Sequence, residues 1–197
     1  MYGGADRKID TLVRGRASIA AGMEQLISLC ERAIPHKVWN GFRKLDFDSD
    51  YDRLTLWLLD LLRSEPPDDN ITGLWFGLHN PCLLDGRPSC RLYVCGSKRF
   101  KGDLDVPDWH CKPEYWPEGR YASSEVLPLI YGRTNRLGGE LNAQAEISLC
   151  QGFMCLVISR WCRGPIRGRL LGKSKLRAIA AGHDSGDIHL IDVLRQS

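Results

Sequence analysis

The chain lacks a run of apolar residues long enough to read as a membrane span: the best stretch, Ile147 to Ile158, is short and contains Gln151. Met1 to Arg16 carries charges and glycines but no apolar stretch of the kind that heads an export signal. Gly138-Gly139 precede a predicted helix, as a phosphate-binding turn would, but lack a Gly-x-Gly-x-x-Gly or Lys-Ser/Thr context, and no internal repeat or low-complexity segment is present. Charge of one sign is also missing. With 27 basic and 24 acidic residues the formal net charge is only +3, too balanced to predict nucleic-acid binding. These absences leave a cytoplasmic, non-membrane protein as the expectation.

Hydrophobic residues make up 43% of the 197, enough for a real core, so one ordered domain of ordinary size is expected. The eight cysteines raise the question of a disulfide framework. Without an export signal, and with Cys30, Cys150 and Cys155 on the apolar faces of predicted helices, they read as free thiols buried as small hydrophobes.

The periodicity predicts a helix over Ile9–Ile34, on which Leu12, Ile19, Met23, Leu26, Ile27 and Cys30 recur at helical spacing and which Pro35 ends. A second helix follows the run Asp46-Phe47-Asp48-Ser49-Asp50-Tyr51-Asp52, capped by Ser49 or Asp50, with Leu54, Leu56, Trp57, Leu58, Leu61 and Leu62 on its apolar face. Strand-like segments around Gly73–Leu78 and Cys90–Cys95 predict one hairpin. Leu176 to Leu194, broken by His183-Asp184-Ser185-Gly186-Asp187, predicts another. Between them lie a short helix starting at Ser123 or Ser124 and a mostly apolar helix, Leu141 to Trp161, joined by Gly138-Gly139 and ended by Gly164-Pro165. The expected fold is a single α+β domain, 1–66 helical and 71–197 sheet-containing. Two hairpins would form an antiparallel sheet of about four strands packed with about four helices, in the order α-α-β-β-α-α-β-β.

Each candidate site competes with a simpler reading. The acidic run resembles a calcium loop, but Tyr51 stands where a glycine is needed and Trp57 where a bidentate glutamate is needed. A charged helix start explains it better. As a functional feature, Asp46, Asp48, Asp50 and Asp52 would form an exposed carboxylate cluster for a basic partner. His79, Cys82, Cys90, Cys95, His110 and Cys111 offer zinc-ligand types, but without a C-x-x-C pair, and the odd separation of Cys90 and Cys95 puts them on opposite strand faces. No metal and no cofactor is expected. Arg160, Arg163, Arg167, Arg169, Lys173, Lys175 and Arg177 read as a solvated helix end in preference to a phosphate site. Gly96 to Tyr121 is too long for a plain connector and dense in aromatics, so Trp109, Tyr115 and Trp116 are candidate anchors for a partner protein; core staples are the competing role.

Gly73-Leu74-Trp75-Phe76-Gly77-Leu78, Trp116-Pro117-Glu118-Gly119-Arg120-Tyr121-Ala122 and Gly182-His183-Asp184-Ser185-Gly186-Asp187 together resemble bacterial immunity proteins of polymorphic and contact-delivered toxin systems. The likeness runs in scattered motifs from Ile71 to the C-terminus. It implies a small cytoplasmic α+β protein that binds and blocks a cognate toxin, with no catalytic residues to carry over. Immunity proteins against nucleases are often acidic and this chain is slightly basic, so the resemblance leaves the toxin's activity open. The rival class is a small enzyme with a cysteine- or zinc-dependent site near His110, Cys111 and the first hairpin.

Overall fold

The computed structural model describes residues 2–86, 89–100, 109, 112–184 and 188–196. Helices α1 (Tyr2–Arg14), α2 (Ile19–Ala33), α3 (Val38–Phe42) and α4 (Phe47–Ser64) precede strands β1 (Gly73–His79) and β2 (Arg91–Ser97). Then come α5 (Val126–Asn135), a long helix α6 (Gly139–Arg163) interrupted by a π-helical turn at Glu146–Cys150, and α7 (Arg167–Leu171). Strands β3 (Leu176–His183) and β4 (Ile188–Arg195) close the chain.

The expected first helix is two. Thr11 and Leu12 accept the last hydrogen bonds from Gly15 and Ala17, Arg16 takes a left-handed turn at φ 55°, and Ser18 restarts the helix by accepting from the Ala21 amide at 3.2 Å. A non-glycine residue in that conformation breaks helical continuity whatever the hydrophobic spacing says. The cap of α4 is Asp46, one turn earlier than Ser49 or Asp50. Its carboxylate accepts from the Ser49 amide at 3.0 Å and from the Ser49 hydroxyl at 2.7 Å, and both bonds hold its pKa below the usual carboxylate range.

The sheet is mixed, which corrects the purely antiparallel expectation. Its order is β2-β1-β3-β4: each hairpin is antiparallel, but the two meet through β1 and β3, which run parallel with Trp75 opposite Ala180 and Gly77 opposite Gly182. A hairpin turn forces antiparallel pairing locally. The direction of the second hairpin relative to the first depends on the crossover that delivers it, and here that crossover contains α5, α6 and α7.

One face of the sheet takes the helices. Leu74, Phe76 and Leu78 of β1, Leu92 and Val94 of β2, Ile179 and Ala181 of β3 and Leu194 of β4 join the main core. Helix α6 lies at its centre, with every residue from Gln151 to Ser159 buried. By length and hydropathy α6 matches a membrane span, beyond the short run the sequence reading weighed, yet 67% of its apolar window is buried against protein. Close approach of α2 and α6 needs two glycines. A Cβ on Gly22 would stand 2.5 Å from Leu156, and one on Gly152 would stand 2.3 Å from Leu26. Gly22, which weakens a helix considered alone, is the surface against which Leu156 packs.

Arg177, the last of the basic run, is fully buried on the helix side of β3. It donates to the carbonyls of Ile71 (2.8 Å), Leu170 (2.9 Å) and Asp68 (3.0 Å), knotting α7 and the entry to β1 onto β3. Burial lowers its pKa from the ordinary guanidinium value.

Candidate functional site

Among the described residues, the cluster on the opposite face of the sheet includes no helix. Gly73, Trp75, Gly77 and His79 of β1 alternate with the core residues, beside Tyr93 and Cys95 of β2 and Ala178, Ala180 and Gly182 of β3. A β-bulge between β3 and β4 lets Leu190 and Val193, at an odd separation, share this face. Small residues and large rings are interleaved. Gly77 faces Tyr93 across the ladder, and a Cβ on it would stand 2.3 Å from the Tyr93 ring, so the phenol can lie flat over the strand only because Gly77 has no side chain. The Tyr93 hydroxyl accepts from Trp75 Nε1 at 3.2 Å and donates to Asp184 Oδ1 at 2.5 Å. Burial and that carboxylate both push its pKa above the usual phenol value.

The segment 112–122 borders this face along β2. Tyr115 bridges Gly96 and Tyr121 bridges Tyr93 through the backbone. The far end of α4 anchors the segment: Glu65 accepts from the Glu118 and Gly119 amides at 2.7 and 2.9 Å, the Glu65 carbonyl accepts from the Tyr115 hydroxyl at 2.6 Å, and Trp57 Nε1 donates to the Gly119 carbonyl at 2.9 Å. Between these tethers Arg120 stacks on two rings, 4.7 Å from the Trp116 centroid and 4.8 Å from that of Tyr121. Both rings stay open to solvent, at 48% and 41% exposure. Tyr93 meets Trp116 at 63° with centroids 5.9 Å apart.

A polar group closes the end where β1 and β3 both finish. His183 Nε2 lies 2.8 Å from Glu146 Oε1, and Asn80 Nδ2 bonds the same carboxylate oxygen while lying 3.2 Å from His183 Nε2. Glu146 opens the π turn of α6, a geometry found often at functional sites. Burial raises its pKa, but the hydrogen bonds from His183 and Asn80 and the His183 charge outweigh that, and the net shift is downward. His79 stacks near Tyr121 at 5.0 Å, and burial lowers its pKa against the pull of Asp184. Among the described residues, the buried atoms His79 Nε2, Asn80 Oδ1 and Arg120 Nε have no hydrogen-bond partner. Beside this group a cavity of about 280 Å³ is lined by Trp75, Tyr93, Cys95, Pro113, Trp116, His183 and Asp184. Cys95 there is a poor nucleophile: burial, then Asp184, raises its pKa to about 12.

The residues singled out from the sequence fall into separate places. Trp116 is on the exposed ridge. Trp109 is buried, edge-on to Phe100 at 5.8 Å and seated over Gly73, whose added Cβ would collide with it at 2.4 Å; it is a staple. Tyr115 is half-buried by its bond to Glu65. Asp46, Asp48 and Asp52 are exposed, and Asp48 pairs with Arg160 at 3.3 Å. Asp50 corrects the expectation of four exposed carboxylates. It is 2% exposed and accepts from the Ser124 hydroxyl (2.6 Å) and the Glu125 amide (2.8 Å), fixing the start of α5. The acidic run and the aromatic ridge sit at opposite ends of α4, a helix of 18 residues or roughly 27 Å. Cys90 lies in the helix-side core and Cys95 on the other face, the seven cysteines among the described residues are free thiols, and His110 and Cys111 lie outside the described residues.

Sequence reasoning passed over Asn80, Tyr93, Arg120, Glu146 and the pairing role of His183. One signal was readable: Glu146 is a lone carboxylate leading into a helix of apolar residues, and such a residue is seldom buried without a partner. Searches against known protein families, curated proteins and solved structures find no match to this chain.

Proposed function

We propose that this chain is an immunity protein, a stoichiometric inhibitor that binds a cognate toxin and covers its working surface. The observation that carries this reading is the Trp116–Arg120–Tyr121 stack. Tryptophan, tyrosine and arginine are the residue types that concentrate binding energy at protein interfaces. Here the two rings remain solvent-exposed although the segment bearing them is tied at both flanks to α4 and β2. A rigid, exposed aromatic ridge is pre-organised for docking and loses little entropy on binding. The resemblance of the Gly73–Leu78, Trp116–Ala122 and Gly182–Asp187 segments to immunity proteins names the class of partner. Asp46, Asp48 and Asp52 would add a second, electrostatic contact to a basic toxin surface, one that steers association more than it holds the complex.

The test is co-expression with the product of the neighbouring gene. That product is expected to arrest growth alone, and this chain to restore growth and co-purify with it in a fixed ratio. Arg120→Ala combined with Trp116→Ala should fold normally and fail to protect. A neighbouring product that is harmless, or that leaves no complex with this chain, overturns the reading.

A second reading, a small enzyme, is favoured by one observation: Glu146, His183 and Asn80 converge at the mouth of the first hairpin, where a carboxylate–imidazole pair can move a proton. Glu146→Gln separates the two, because it leaves protection by an immunity protein intact.

A further inference from the structure

We infer that the cavity bounded by Trp75, Tyr93 and Trp116 binds an organic ammonium cation. This inference is independent of the identity of any toxin. Three aromatic rings and Pro113 supply its walls, and Asp184 supplies a carboxylate at its edge. An aromatic ring attracts a cation to its negative face, and a cage of ring faces is a known means of recognising alkylated ammonium groups; a carboxylate beside it adds opposite charge. The Tyr93 and Trp116 rings are turned 63° to one another, so they wall a corner instead of stacking shut.

The cage is held in place by its own bonds. Trp75 Nε1 donates to the Tyr93 hydroxyl, which donates to Asp184, so two rings and the carboxylate are fixed by one relay. Gly77 leaves the floor flat beneath Tyr93. The surrounding charge also suits a cation. Asp184 lines the cavity and Glu146 bonds His183, which lines it too. Burial favours the neutral form of the neighbouring His79. The Arg120 guanidinium lies against Trp116 and Tyr121 and is not part of the cavity wall. Among the described residues no lysine or arginine lines the cavity, and the imidazole of His183, which does, is paired with Glu146.

The same chemistry is met by a free quaternary ammonium solute or by a lysine side chain on a partner. Tryptophan fluorescence and calorimetry should be followed during titration with choline, with 3,3-dimethylbutan-1-ol, its uncharged isostere, and with Nα-acetyl-lysine methylamide. Sodium chloride controls for ionic strength. Saturable binding of choline or of the lysine amide is expected, with the uncharged isostere at least about tenfold weaker. Trp116→Ala and Asp184→Asn should each weaken binding about tenfold, while Trp116→Phe retains most of it. Preference for choline assigns the site to a free solute, and preference for the lysine amide assigns it to a partner's side chain. Equal binding of choline and its isostere would mean an apolar pocket and overturn the inference, as would the absence of saturable binding to folded protein. Either failure leaves the neutralisation experiment to succeed or fail by itself.

Discussion

The two faces of this sheet are built on different principles. Toward the helices, Leu74, Phe76, Leu78, Val94 and Ile179 bury their side chains in one continuous core around α6. On the other side, Gly73, Gly77, Ala178, Ala180 and Gly182 form a thin floor, and the bulk is provided by Trp75, Tyr93 and Trp109 laid across it. The first face is stabilised by area removed from water, which is additive and tolerant of repacking. The second depends on directed contacts: a Trp–Tyr–Asp relay, a stacked arginine, and a segment tethered to α4. Change on the first face should lower stability, and change at the exposed rings bordering the second should lower binding.

The largest expected effect is on the helix face. Phe76 is fully buried, with its ring 5.7 Å from that of Trp161, and Phe76→Ala should cost about 3–5 kcal/mol in a urea denaturation experiment. A loss under about 1 kcal/mol would break the contrast, since it would put this face below the ordinary cost of a core truncation. Arg177→Met comes next. The buried carbonyls of Ile71 and Leu170 would lose this donor, at roughly 1–3 kcal/mol for each group left unsatisfied and not relieved by water, while the Asp68 carbonyl keeps the Ile71 amide. The same denaturation curve reads it, and an unchanged midpoint would show that the knot contributes nothing net.

Gly77→Ala probes the open face. The new Cβ must displace the Tyr93 ring, so a loss of about 1–3 kcal/mol is expected together with loss of the tyrosine–Asp184 contact. The sharper readout is choline titration: unchanged binding in the folded variant would show that Tyr93 does not set the cage. Trp116→Ala should move stability by no more than about 0.5 kcal/mol, because the ring is already half exposed, yet weaken partner binding about thirtyfold. A large fall in melting temperature with unchanged affinity would make the ridge another staple, like Trp109.

The smallest effect is a pH dependence. The folded-state pKa of Glu146 lies below its ordinary 4.5, so its contribution is fully present above 4.5 and is lost as pH falls through the lower folded value. His79 is also shifted down, from 6.5, so its neutral form supports the fold above 6.5 and that support is lost on acidification through its lower folded pKa. Stability should therefore decline as pH drops, first with His79 and then with Glu146 and the other depressed carboxylates, Asp46 and Glu114. Glu146→Gln should reduce the more acidic decline, measured by chemical denaturation across that range; a profile identical to wild type below pH 4.5 would contradict the pairing with His183.

The sequence by itself determined the α+β class, the two hairpins and the main helices. These follow from local causes: the 3.6-residue recurrence of Leu26, Ile27 and Cys30, the prolines after α2 and α4, and the turn residues between β3 and β4. It was silent on the face of β1, where both sides are buried and alternation carries no signal. It placed Asp50 among exposed carboxylates because a helix start looks the same whether or not a distant Ser124 comes to meet it. Only the tertiary structure decided that β1 and β3 run parallel, that Tyr93 lies over Gly77, and that Asn80, Glu146 and His183 converge. Each of those facts joins residues far apart in the chain, and such contacts depend on the path of the crossover through α6 rather than on any property of the residues' immediate neighbours.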